Sequence, residues 1–517
     1  MIALRPALSF RVFMTLAALS LGALAGCAIG SDDIQHWKQT QKGPEKILKV
    51  MSSDRYPISL RAEAALAMIE LTRADVDGLG ELGVALEQSA AQEPEAVEAI
   101  VRDLAPRLSA MMKGEPDKPA SAEQIRAKDA AFRLIPFAEA PVAEQLVGDV
   151  VAFYVEDFPS RSLAGDVSAE QVARKLGEPA VSRMVGALDA KMPPEALVKL
   201  TELISELGGG ETKARAGARL VEIEREMRGE AYLAWLSGEI DAQEAGKPEP
   251  LDSGRRAAMA SLNREKFLNQ GALAAMKHLA GQPEVAARLV EIAREKPAED
   301  APEVTAQLDN DRRRTALLAL AGHAKAEHLD ALLAVALDGS DELELRDLAF
   351  DRIAEIGAER AIAPMWRLVQ SNQNEILPKR LRWRAGELIL TLGGPGIVRE
   401  FLARLPADPR AEYEPEELAG YATKIGEMSE PPTAAMREAT KGPQWYKVVI
   451  AANFLAERGE ASDRALLEQL AGSRLGLVGD GWGRSDPPRK TVGDVARMAA
   501  GKLEKRLSGD SDESKDS

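Results

Sequence analysis

Lys379-Arg380-Leu381-Arg382-Trp383-Arg384 places four cations and an indole in six residues. In a basic protein, cations interleaved with an aromatic would point to nucleic acid, the cations meeting phosphates and the ring stacking on a base. This chain carries a net charge of −16. The cluster therefore reads either as the solvated start of a helix or as a patch for an acidic ligand built on Arg380, Arg382, Trp383 and Arg384. Arg312, Arg313 and Arg314 take the same reading, and if both clusters faced one side they would form a basic stripe. Gly479-Asp480-Gly481-Trp482-Gly483 has the glycine content of a phosphate cradle, but no strand precedes it and no Gly-Lys-Ser/Thr follows. It reads as a long loop, with Asp480, Trp482 and Asp486 as a contact surface. His278, His323 and His328 are too scattered for a zinc site, and neither His-Glu-x-x-His nor Cys-x-x-Cys occurs. Carboxylates abound, at 82 Asp and Glu, yet none is marked out by its setting, and no Ser/His/Asp set is recognisable. The sequence thus leads us to expect no catalytic residue, no metal and no cofactor.

What must position these residues is helical. Ala, Leu, Glu and Arg dominate, all strong helix formers, and only 4% of the 517 residues are aromatic. Leu345-Arg346-Asp347-Leu348-Ala349 runs on to Ile353, Ile356 and Gly357. Leu381-Arg382-Trp383-Arg384-Ala385 runs on to Ile389, Leu392 and Gly393, each 36 residues after its counterpart. A fixed period of this size marks stacked helical repeats, an architecture that lets one chain exceed the span of a single core. The pattern predicts Ala349 and Ala385 at close helix crossings, Ile353, Ile356, Ile389 and Leu392 as core residues, and Gly357 and Gly393 as helix terminators with positive φ. Arg346 and Arg382 recur in a first turn, where the helix dipole disfavours a cation. They are expected to bond loop carbonyls or a carboxylate of the preceding unit.

Helices are predicted from Pro44 onward, among them Pro94–Met112, Pro194–Leu207, Asn263–Leu279, one opening at Arg313, His328–Leu337 and Thr491–Leu507. Repeats are expected over 44–245 and 255–507, separated by a linker or long loop at 246–254, with a disordered acidic tail over 508–517.

Two resemblances complete the reading. Arg5 and Arg11 precede the apolar stretch Val12–Ala25, which ends in Leu24-Ala25-Gly26-Cys27. This resembles a bacterial lipoprotein signal, which implies removal of residues 1–26, acylation of Cys27 and a flexible tether over 27–43. Ala28 after the cysteine resembles the outer-membrane sorting class. The pattern Leu-Arg-x-x-Ala-x-x-x-Ile-x-x-Ile/Leu-Gly resembles HEAT-like repeats of the phycobilisome-lyase type, strongest over Arg313–Leu405. The resemblance implies an all-α, α/α superhelical solenoid of HEAT-like helix pairs that binds proteins. The lyase activity does not carry over, because the only thiol is Cys27.

The expected role is therefore a protein-binding scaffold or adaptor of the cell envelope, held to the membrane by lipid and without nucleic acid as a partner. The alternatives are a carbohydrate-active enzyme on an α/α toroid, against which the sparse aromatics argue, and a purely structural envelope spacer.

Overall fold

The computed structural model describes residues 29–509 except 115–118, 246, 248–250, 371–375, 407, 409–410 and 485. The signal segment 1–26, Cys27, part of the 246–254 linker and residues 510–517 of the tail lie outside the described residues. Those described are all-α, with a single isolated bridge, Gly476 to Thr491, as their β structure. The chain divides into two compact units between Ala216 and Gly217, and 246–254 lies within the second.

In the first unit, Ile58–Glu70, Pro94–Met112 and Ala140–Glu156 pack successively side by side. Pro94–Met112 has the predicted bounds, and its Val97, Ile100, Val101, Leu104 and Leu108 are essentially fully buried. Ser121 caps the following helix as expected, its hydroxyl accepting from Gln124 N at 3.2 Å.

In the second unit the first helices of consecutive pairs form one packed row: Glu303–Ala319, Leu343–Ile356, Ile376–Arg404, Pro415–Gly426, Trp445–Arg458 and Val492–Ser508. Ala349, Ile353, Ala385 and Ile389 are fully buried, so helix crossings and core knobs fall where the 36-residue period puts them. Ile356 and Leu392 are only half-buried, a correction that applies equally to both copies. The Arg313 helix begins ten residues earlier than its motif suggests, at Glu303. Asn263–Leu279 also extends upstream: a helix from Ser253 runs into a π segment at Phe267–Leu273 before ending at His278.

Gly357 ends its helix in the left-handed region, with φ 67°. In the second copy the positive φ falls one residue later than expected, at Gly394 (φ 58°, ψ −164°), where the 376–404 helix breaks before Pro395. The reason lies in the cap conformations. Gly357 is left-handed helical, which other residues visit at modest cost, whereas the Gly394 pair is nearly closed to residues with a Cβ. We expect Gly394→Ala to cost about 1–3 kcal/mol and Gly357→Ala about 1–2 kcal/mol, compared by urea denaturation.

The arginines at the motif position are internal struts. Arg61, Arg313 and Arg346 each donate from Nε to a carbonyl near the end of the preceding helix, at Met51 (2.7 Å), Ala293 (2.8 Å) and Ala336 (2.9 Å). That half of the expectation holds. The carboxylate half is corrected, because the acid belongs to the following unit: Arg61 meets Glu93 at 3.1 Å, and Arg313 meets both oxygens of Asp341 at 2.7 and 2.8 Å. Geometry explains this. The stem lies along its own helix while the planar fork extends past it to the next turn.

His328 is another buried polar group, 5% exposed at the start of Leu329–Leu337. Its Nδ1 accepts from Lys325 N at 3.1 Å, so the ring is neutral at that nitrogen. Burial pulls its pKa below the usual imidazole value. A lowered folded pKa means that the unfolded chain takes up the proton first. Stability is therefore expected to fall as pH drops below about 6.5, and His328→Gln should flatten that part of a urea-denaturation profile.

Candidate functional site

The structure neutralises the basic cluster. Arg382 points inward, 3% exposed. Its Nε and a terminal nitrogen donate to the two carboxylate oxygens of Glu417 at 2.8 and 2.7 Å, and that nitrogen also donates to the Glu412 carbonyl at 2.7 Å. Its guanidinium lies 4.2 Å from the Tyr413 ring centre, and the Tyr421 hydroxyl donates to Glu417 at 2.9 Å. Arg382 is thus another strut, located in the second turn, and a surface role for it is excluded by burial. Lys379 pairs with Glu412 and approaches Glu414 at 3.8 Å. Arg384 pairs with Asp351, reaches Glu387 at 3.5 Å and lies 3.8 Å from Asp347. Arg380 reaches back to Asp347 at 2.6 Å.

Two further expectations are corrected. Arg313 is buried, Arg312 pairs with Glu265 and Asp309, and Arg314 pairs with Asp311 and Glu344, so no basic stripe forms. Trp482 is 2% exposed. Its Nε1 donates to the Tyr413 carbonyl at 2.7 Å and its ring packs edge-on against Trp445, 5.9 Å away. It is the plug by which the 473–490 loop fastens onto residues 413–414, together with Tyr413 N to Val478 O (3.1 Å) and Gly481 N to the Glu414 carboxylate (2.9 Å). A tryptophan in a glycine-rich loop looks exposed in sequence because its partners lie 69 residues away.

What remains accessible is a row of three adjoining grooves. A cavity of about 390 Å³ lies between Lys379, Arg380, Trp383, Glu416, Asp480 and Arg484. Across Arg380 and Trp383 it adjoins one of about 410 Å³, bounded also by Asp347, Asp351, Arg384 and Glu387. A third, of about 190 Å³, continues past Phe350, Leu388, Thr391 and Lys424. Arg380, Trp383, Arg384, Glu387, Leu388 and Thr391 share one helical face. Asp347, Phe350, Asp351 and Ala354 form the matching face of the preceding first helix. The face runs over twelve residues, 380 to 391, about 16 Å at helical rise, or about five residues of extended chain.

Trp383 is the half-buried wall between the two larger cavities. Its Nε1 is enclosed and makes no hydrogen bond. Gly420 forms the floor beneath it: a Cβ there would sit 2.7 Å from Nε1 and 3.0 Å from a Glu387 oxygen. Asp347 lies opposite with its side chain 14% exposed. Despite the close charge contact with Arg380, neither Asp347 oxygen receives a directed hydrogen bond. Burial, reinforced by Asp351, raises its pKa against the pull of Arg380 and Arg384. The structure therefore brings Arg380, Trp383 and Arg384 together at one surface and removes Arg382 and Trp482 from it. Sequence reasoning missed the acidic wall of Asp347, Asp351 and Glu387. The signal was present: Asp347 and Asp351 stand 36 residues before Trp383 and Glu387, so the repeat places them side by side.

No protein-family profile matches the sequence, and no curated protein does. Among solved structures, the karyopherin Kap121p bound to the SUMO protease Ulp1p is similar at 13% identity and a TM-score of 0.34, over 97% of this chain and 50% of that one. The Kap95:Nup1 complex is similar at 11% identity and a TM-score of 0.26, over 96% of this chain and 75% of that one. The chain thus spans about half the length of the first. Fold likeness at this distance assigns no activity.

Proposed function

We propose that this chain is a lipid-anchored scaffold of a bacterial cell envelope, attached to the outer membrane on its periplasmic side, that binds a protein partner along the Trp383 grooves and is not an enzyme. The observation that carries the reading is a division of labour between repeating and non-repeating side chains. The repeated arginines are consumed by internal struts, while Arg380, Trp383 and Arg384 line open grooves. A repeat array offers such inter-helix surface to other proteins. The anchor rests on the sequence of residues 1–27. No helix of the described residues is long and apolar enough to cross a membrane. Cys27→Ser is expected to move the protein from the membrane to the soluble fraction, measured by fractionation and immunoblotting; retention on membranes overturns the lipid claim. Mild cross-linking in cells followed by affinity capture tests the scaffold. A reproducible partner lost in Trp383→Phe supports it, and the absence of any such partner rejects it.

A further inference from the structure

The cavity between Asp347, Asp351, Trp383 and Glu387 holds three carboxylates against two guanidiniums, Arg380 and Arg384. Arg384 is shared among all three acids. Arg380 is different: among the described residues its one ion-pair partner is Asp347, and its side chain is 58% exposed. The contact is close in charge but not directed, since the Asp347 oxygens accept no hydrogen bond. A carboxylate so enclosed is stabilised by a cation that can aim N–H groups at it. The adjacent indole lines the same cavity, and an aromatic ring attracts a cation placed over its face. Nearby, Glu416, Asp480 and Arg484 line the neighbouring cavity, and among the described residues none of the three has an ion-pair partner, which leaves the acids in excess by one. An anionic ligand would meet these carboxylates with no unengaged cation in the Asp347 cavity to offset them, which reverses the sign suggested by the basic sequence cluster.

Resting on the scaffold reading above, we propose that the Asp347–Trp383 cavity receives an arginine or lysine side chain from an extended segment of the protein partner. Arg380 holds that place in the free protein as an intramolecular stand-in. The incoming cation pairs with Asp347 and Asp351 and lies against Trp383, while Arg380 turns outward to solvent. About five residues of extended chain fill the grooves, so one basic residue with uncharged neighbours is sufficient.

The test uses the full chain with Cys27→Ser and three fluorescein-labelled octapeptides, each of seven Ser around one central Arg, Gln or Glu, read by fluorescence anisotropy at fixed ionic strength. The Arg-Ser peptide is expected to bind at least about tenfold more tightly than the other two. Asp347→Asn and Trp383→Phe are each expected to weaken it about fivefold, whereas Arg380→Ala is expected to strengthen it about threefold by vacating the cavity. Glu195→Gln, an exposed site in the first unit, controls for diffuse attraction and should change nothing. Equal binding of the Glu-Ser peptide, or an Arg380→Ala variant that binds no better than the parent, overturns the inference. Thermal melts keep the Asp347→Asn result interpretable; if that variant is unfolded, Arg380→Ala decides. A partner captured from cells and lost in Trp383→Phe, yet not displaced by the Arg-Ser peptide, leaves the scaffold standing and removes the cationic ligand. Failure to capture any partner removes the scaffold itself.

Discussion

Arg382→Leu is expected to destabilise the second unit by about 3–5 kcal/mol, measured by urea denaturation and by amide exchange across residues 412–421. The Arg382 and Glu417 side chains are 4% and 2% exposed, so removing the guanidinium strands a carboxylate where water cannot reach it. The Glu412 carbonyl loses its donor as well, and Tyr413 loses the cation over its ring. The Tyr421 hydroxyl and the Glu414 backbone remain to the carboxylate, and both are neutral. The cost comes from breaking the pair rather than from the worth of the pair itself. The double variant Arg382→Leu/Glu417→Leu should therefore recover much of the loss. If the single variant were as stable as the parent, the ion pair would not be the element that joins the 376–404 and 415–426 helices.

Asp129→Ala is expected to cost the first unit a similar amount, about 3–5 kcal/mol. Lys128 is completely buried. Its ammonium donates to Asp129 at 2.5 Å and to the carbonyls of Ala164 and Val167 at 2.7 and 2.5 Å. Asp129 also receives the backbone N–H groups of Asp166 and Val167, at 2.9 and 3.1 Å. The substitution leaves a buried cation without counter-charge and two amides without acceptors. Burial already holds the Lys128 pKa below its usual value against the opposing pull of Asp129, so losing that carboxylate depresses it further. A depressed folded pKa means the unfolded chain binds more protons, and stability then rises with pH. The deficit of the variant should accordingly narrow as pH approaches the ordinary lysine value of about 10.4. Adding Lys128→Met should relieve it at neutral pH, read by the same denaturation series.

Helix type and repeat register were legible in the sequence because they depend on local spacing. Pro94–Met112 and Pro194–Leu207 have the expected bounds, and Ala349 and Ala385 are buried as their spacing requires. The helix around Arg313 was legible only in its second half, since the Val304 and Leu308 pair of its first two turns is followed by Asp311 and Arg312 where an apolar stripe would continue. The site was half legible. A run of cations announces charge but not whether that charge is already neutralised. Arg382 and Trp482 were misplaced because the groups that bury them, Glu417 and Tyr413, are 35 and 69 residues away. The carboxylate wall became visible only when two repeats were laid side by side.

The struts also differ in a way that matters between repeats. Arg313 and Arg382 each carry a buried ion pair forward into the next helix pair. Arg346 is tied backward to Ala336, and among the described residues it forms no ion pair. The polar contacts across the joint between the 343–369 and 376–404 pairs are instead those of Arg380 and Arg384 with Asp347 and Asp351, at the groove. Such pairs are individually worth about 0–1 kcal/mol and weaken as salt rises. Rising ionic strength therefore weakens the polar part of this joint and leaves it to its apolar contacts, such as Trp366 against Phe401 and the buried Ala385 and Ile389, whereas the buried pairs of Arg313 and Arg382 are screened much less.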